Sequence, residues 1–191
     1  MTAMRRARRL MLRGGLGLLA AVVVLGVSAV GLVWLTLPGH PSMTQLPGLQ
    51  AAARVMFDAD GVPRIRAASE ADGARVLGYL HARERMFQMD MTRRAAAGEL
   101  AEVIGAPGLA NDRQMRVLGV RRAAAADLPL LPAETTALLE AYAGGVNAWL
   151  AERGRFAGPE YLVLGAPRPW TPLDSVLWGK MMGQIGRASC R

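Results

Sequence analysis

Cysteine is almost absent from this chain: Cys190 is the only one among 191 residues. No internal disulfide can form, so an exported domain of this sequence must hold together by packing around a large core. A thiol nucleophile needs a histidine base beside it, and of the two histidines His81 is the candidate. Cys190 sits one residue from the chain end, where frayed backbone rarely holds catalytic geometry. Aromatic residues are scarce at 5%. Charge is missing altogether from residues 14–39, GGLGLLAAVVVLGVSAVGLVWLTLPG. At about 1.5 Å of rise per residue, a helix over residues 15–37 crosses the roughly 30 Å hydrocarbon core of a bilayer with some tilt to spare.

The flanks of that run orient it. Residues 1–13 carry Arg5, Arg6, Arg8, Arg9 and Arg13 without an acid, and the next lysine or arginine is Arg54. The positive-inside rule puts residues 1–13 in the cytoplasm as a basic tail, 14–37 in the inner membrane as a single-pass signal-anchor, and the rest in the periplasm. A cleaved signal peptide has a shorter apolar region, about 7–15 residues, and a small-x-small site, which does not follow this span. Trp34 stands at the interfacial position that aromatic residues favour.

The net charge of +8 invites a nucleic-acid reading, but it is unevenly placed. Five arginines belong to the tail and two, Arg187 and Arg191, to the last residues, which leaves 16 basic against 15 acidic residues between them. The body is nearly neutral, and nucleic acid is excluded as its partner.

Residues 38–52, with three prolines and two glycines, read as an extended linker. In ARVMFDADGVPRIRA, Val55 and Phe57 alternate with polar or exposed positions, Asp60-Gly61 supplies hairpin turn chemistry, and Pro63 confines the second strand to an edge. Ser69 and Asp72 form a capping-box signal for a helix from about Glu70 to Ala97, and Gly98 stops it. Helices are also predicted over residues 112–126 and 133–152, the latter with Gly144-Gly145 as a weak point. Thr171, Pro172 and Asp174 start a last helix, which runs to the chain terminus without a cap. No internal repeat or low-complexity tract occurs.

In the long helix, charges and large apolar groups occupy every face, so it needs packed neighbours on several sides, with arginines in internal pairs. A metal site would draw on His81, with Glu84 at i+3 as its one companion on the helix, since Arg85 holds i+4. The simpler reading is a salt-bridged structural helix. Thr171 and Asp174 read as capping, Trp149 and Trp170 as core or interface aromatics, and Tyr142 as packing.

Four segments in order, DADGVPRIRA, GYLHARERMFQMDMTRRAAAGELAEVIG, AYAGGVNAWL and LGAPRPWTPLDS, with the spacing among them, resemble the α-chain region of the penicillin acylase (penicillin amidase) family of N-terminal-nucleophile hydrolases. The resemblance covers residues 53–184. It departs from the family at Arg64, where histidine or threonine is usual, and at Glu84, where aspartate is usual.

The resemblance implies an α+β protein in which a partial, helix-rich α-chain portion belongs to a four-layer αββα sandwich. It also implies a self-cleaving precursor, a zymogen whose new β-chain N-terminus exposes a serine. That hydroxyl attacks the amide carbonyl while its own α-amino group serves as the base and oxyanion donors hold the developing charge. The family's serine follows a glycine, whereas Ser28, Ser42, Ser69, Ser175 and Ser189 follow Val, Pro, Ala, Asp and Ala. The chain therefore contains no catalytic residue of that type, and the nucleophile and most of the calcium site of full-length members are expected in the missing β-chain. Met182 falls near the family's methionine of the acyl-group pocket. The implied substrate is a small N-acyl compound: a β-lactam side chain, an acyl-homoserine lactone or another linear amide. A membrane-tethered helical binding or scaffold domain without catalysis is the alternative.

Residues 185–191, IGRASCR, resemble the translation of a common sequencing-library adapter. On that reading the protein's own sequence runs to about Gln184, the fragment is inactive, and Ser189 and Cys190 carry no chemistry.

Overall fold

The computed structural model describes residues 2–39 and 42–188. Ser189, Cys190 and Arg191, and His40 and Pro41 of the linker, lie outside the described residues. Two compact units divide at Leu37 and Pro38.

The first unit holds one helix, α1 (Thr2–Thr36). Its stretch Gly14–Thr36, 23 residues with a mean hydropathy of 2.6, is long and apolar enough to cross a membrane. The Thr36 hydroxyl donates to the Val33 carbonyl at 2.6 Å and the Leu37 amide to the Trp34 carbonyl at 3.1 Å, so two terminal carbonyls of the helix are satisfied.

The second unit opens with the linker. From Leu46 onward it is held to the body rather than extended: Leu46 packs on the main core, and the Asp72 carboxylate accepts the Gln50 and Ala51 amides at 2.9 and 3.3 Å. An antiparallel hairpin follows, β1 (Arg54–Phe57) with β2 (Pro63–Arg66), in the register Val55 opposite Ile65. Its turn is closed by Asp58, whose carboxylate accepts the Asp60 and Val62 amides at 3.1 and 2.8 Å, and by Gly61 at φ 75°. The Val62 hydrogen bond, with Arg64 helping against partial desolvation, holds Asp58 below the usual carboxylate range. Arg64, the departure from the family pattern, is thus an exposed ion-pair partner of Asp58 at 3.1 Å.

Helix α2 (Glu70–Ala97) begins and ends where its caps predict: the Ser69 hydroxyl accepts the Asp72 amide at 3.1 Å, and Gly98 adopts φ 73°. The reciprocal half of the capping box is not made, because the Asp72 carboxylate serves the linker instead. Within α2 the backbone leaves helical geometry at Arg85 (φ −148°, ψ 33°). Short helices α3 (Ala101–Ile104), α4 (Leu109–Leu118) and α5 (Val120–Asp127) follow. The expected single helix over residues 112–126 is two, because Gly119 takes the left-handed conformation at φ 66° and caps α4.

Helix α6 (Ala133–Arg153) crosses α2 at close range. Gly144-Gly145 is not a weak point: the helix is continuous there, and the missing side chain is what lets the backbones approach. A Cβ at Gly145 would stand 1.9 Å from the Arg75 carbonyl oxygen, and one at Gly78 2.1 Å from that of Tyr142. The core at this crossing includes Tyr79, Met86, Val146, Trp149 and Tyr161. The Tyr161 hydroxyl, from α7 (Tyr161–Leu164), donates to the Met86 carbonyl at 3.3 Å just past the irregularity in α2. Helix α8 (Pro172–Ala188) runs on through Gly183 and Gly186. Its Leu177, fully buried, forms a second core with Ala96, Ala97, Val120 and Ala124.

Candidate functional site

Arg93 organises the segment that joins α2, α6 and α8. Its side chain is 2% exposed, so its charge must be paired. It is: the guanidinium donates to Asp90 at 2.7 Å and to the carbonyls of Arg168 and Pro169 at 2.8 and 3.0 Å, lies 3.6 Å from Asp174, and stacks 5.2 Å from the Trp170 ring centroid. Asn147 on α6 completes the clamp, accepting the Trp170 amide at 2.7 Å and donating to its carbonyl at 2.9 Å. Trp170 in turn donates its indole N–H to Ser175 at 3.0 Å, and Asp174 accepts both the amide and the hydroxyl of Thr171 at 2.8 Å. Three of the matching segments are therefore one packing unit. Asn147 was not singled out in the sequence; a lone amide in the otherwise apolar AYAGGVNAWL was its only signal.

Beside this unit lies a groove of about 200 Å³ lined by His81, Arg85, Gln88, Met89, Thr92, Arg93, Tyr142, Trp170 and Trp178. His81 Nδ1 is 3.0 Å from the Tyr142 hydroxyl, with the rings edge to face at 5.8 Å. Burial, seconded by the charge of Arg85, lowers the His81 pKa, so the imidazole is neutral at pH 7. Burial also pushes the Tyr142 phenol up to about 12, against a smaller opposing pull from Arg85. Glu84, the companion that a metal site on His81 would need, instead accepts from Arg83 at 2.8 Å. Among the described residues no group of three or more His, Cys, Asp or Glu side chains could hold a metal ion.

A wider groove of about 500 Å³ at the end of α2 carries Arg116, Arg121 and Arg122. Arg116 donates to the Gly98 carbonyl at 2.8 Å and Arg121 pairs with Glu99 at 2.8 Å. Met182 lies one turn beyond Trp178 on α8, 48% exposed, and lines neither groove. Trp149 and Trp170 are buried, 3% and 6% exposed, as core aromatics.

The penicillin amidase family model matches residues 52–189. The chain is 43% identical over 150 residues to penicillin acylase 2 proenzyme of Pseudomonas sp. (strain SE83), covering 78% of this chain and 19% of that protein. It is 36% identical over 144 residues to the acyl-homoserine lactone acylase QuiP of Pseudomonas putida, covering 74% of this chain and 18% of that one. The chain thus spans about a fifth of the length of these relatives. The thermostable penicillin G acylase from Alcaligenes faecalis superposes with a TM-score of 0.58 at 31% identity, over 70% of this chain and 73% of the solved one. The stretch that the family model matches contains the hairpin, the α2–α6 crossing and the Arg93 clamp, and on these grounds the chain belongs to the penicillin amidase family.

Proposed function

We propose that this chain is the anchored α-chain portion of a penicillin acylase-type precursor, which hydrolyses a linear amide and releases a carboxylic acid. The observation that carries the proposal is the ordered match over residues 52–189, which takes in the buried Arg93 clamp as well as the surface hairpin. In this reading α1 crosses the inner membrane with the basic tail in the cytoplasm, supported by the 23-residue apolar stretch and by the arginines that precede it. The body then lies in the periplasm. The remaining chain completes the four-layer αββα sandwich and brings the nucleophile, a serine that follows a glycine and uses its own α-amino group as base.

This chain's part is scaffolding. The hairpin and the α2–α6 crossing give the rest of the precursor a rigid surface to fold against. The chain supplies no nucleophile, since none of its serines follows a glycine. We infer that most ligands of a calcium site in the complete protein lie in the remaining chain, and no step here runs through it. The relatives' names include penicillin and acyl-homoserine lactone acylases, and a small N-acyl substrate of that kind is what we infer for the complete protein.

Sequencing the source DNA across codon 184 tests this reading. A frame that replaces IGRASCR and continues to a Gly-Ser junction supports it. A frame that keeps IGRASCR and stops at once supports a binding domain without catalysis.

A further inference from the structure

The linker ahead of the hairpin meets α2 through two side chains one helical turn apart. Asp72 accepts the Gln50 and Ala51 amides at 2.9 and 3.3 Å, and Arg75 donates to the Pro47 carbonyl at 3.4 Å. Residues three apart share one face of a helix, so residues 46–51 are tied along a single stripe of α2. Leu46, at the start of this segment, packs on the main core.

Arg75 is held less by its long hydrogen bond than by the space it occupies. A Cβ at Gly48 of the linker would stand 2.9 Å from its guanidinium carbon. A Cβ at Gly144 of α6 would stand 2.3 Å from its Nη1 and 3.0 Å from the same carbon. The guanidinium therefore packs against two glycines at once, one on the linker and one on α6, and a methyl group at either would strike it. Gly48 is fixed for a second reason, its left-handed φ of 82°. Gly78 and Gly145 admit the backbones of the α2–α6 crossing, whereas the three atoms nearest a Cβ at Gly144 all belong to Arg75. Gly144 thus makes room for this one side chain.

The three hydrogen bonds of the segment rest on two side chains of one turn, so they break together. Bonds of 3.3 and 3.4 Å are also long for an N–H donor and an oxygen acceptor. A segment held in this way opens locally while the body stays folded. We propose that residues 46–51 are a strap that opens and closes as a unit, with the Arg75 guanidinium as its latch and Gly144 as the space the latch requires. The strap is built from contacts within the body and stands whether or not α1 is an anchor. Its consequence rests on that reading: where α1 is an anchor, opening lengthens the leash by the six strap residues, up to about 20 Å.

Hydrogen exchange of the full chain in detergent micelles, read at the Gln50 and Ala51 amides, tests the latch. Both amides should exchange through one common opening, more readily than the Val146 amide in the α6 core. Arg75→Ala should speed both by about five- to tenfold, the loss of one long bond from a charged donor. Gly144→Ala, on the other helix, should do the same, because its methyl group displaces the guanidinium. The double variant should be no faster than either single one, and Val146 should stay within about twofold of the parent throughout. Strap amides that exchange alike in the parent and in Arg75→Ala would overturn the proposal. So would an effect of Gly144→Ala that adds in full to that of Arg75→Ala, or a Val146 amide that speeds as much as the strap in either single variant.

Discussion

Gly145→Ala adds one methyl group at the α2–α6 crossing, and its cost can be worked from the geometry. The new Cβ would lie 1.9 Å from the Arg75 carbonyl oxygen and 2.9 Å from the Tyr79 amide nitrogen, where about 3.0 Å is the practical minimum. Both neighbours are backbone, so no rotamer relieves the contact. The helices must separate by about 1.1 Å, and a gap of up to about 1 Å already forfeits roughly a quarter to a half of each dispersion contact behind it. Overpacking of this kind costs about 3 kcal/mol, and alanine returns about 1 kcal/mol through helix propensity. The net loss is about 2 kcal/mol, a fall in Tm of roughly 4–8 °C for a domain of this size. Gly144→Ala is the control, because its Cβ meets only the flexible end of Arg75, with the nearest guanidinium nitrogen at 2.3 Å. It should stay within about 0.5 kcal/mol of the parent or exceed it. Thermal unfolding in micelles, followed by circular dichroism at 222 nm, compares the two. Equal stability of the variants would refute close backbone packing at this crossing.

Asp72→Ala removes the acceptor for the Gln50 and Ala51 amides and should cost about 1–3 kcal/mol. Limited proteolysis should then cut the linker near residue 50 faster, and unchanged cleavage would argue that the linker is not held there. Arg93→Met leaves Asp90 buried with Arg94, at 3.2 Å, as its one remaining side-chain partner among the described residues, and should destabilise the body by about 3–5 kcal/mol in urea unfolding. A loss under about 1 kcal/mol would show that the clamp is incidental. His81 should titrate below its ordinary value of about 6.5 in proton NMR. Because the folded-state pKa is depressed, the unfolded chain binds the proton more readily. The contribution of His81 to stability is therefore full above about pH 6.5 and is lost as pH falls through the folded value. Arg85→Gln should raise that midpoint, and a midpoint at or above 6.5 in the parent would contradict the environment described.

What the sequence made legible was local. Ser69, Gly98, Asp60-Gly61 and Thr171-Pro172 each act through their own turn or cap, and the elements begin and end where they stand. Gly119 was missed because an αL break between two helices looks, in sequence, like one more tolerated glycine. Gly144-Gly145 was misread because the partner that explains it, the Arg75 backbone, is far away in the chain. The same reason hid the double bond of Asn147 to Trp170, the capture of the linker by Asp72, and the groove beside His81. The internal arginine pairs of α2 were expected from charges on every face of the helix, and Arg93–Asp90 and Arg94–Asp90 supply them.

The central claim is that residues 53–184 are a working α-chain part of a penicillin acylase-type precursor. The direct measurement is a chimera in which these residues replace the corresponding segment of the Pseudomonas sp. (strain SE83) proenzyme. The account predicts a precursor that cleaves itself into two chains and hydrolyses its amide substrate. A chimera that is soluble and folded, yet neither cleaves itself nor turns over substrate, would contradict it.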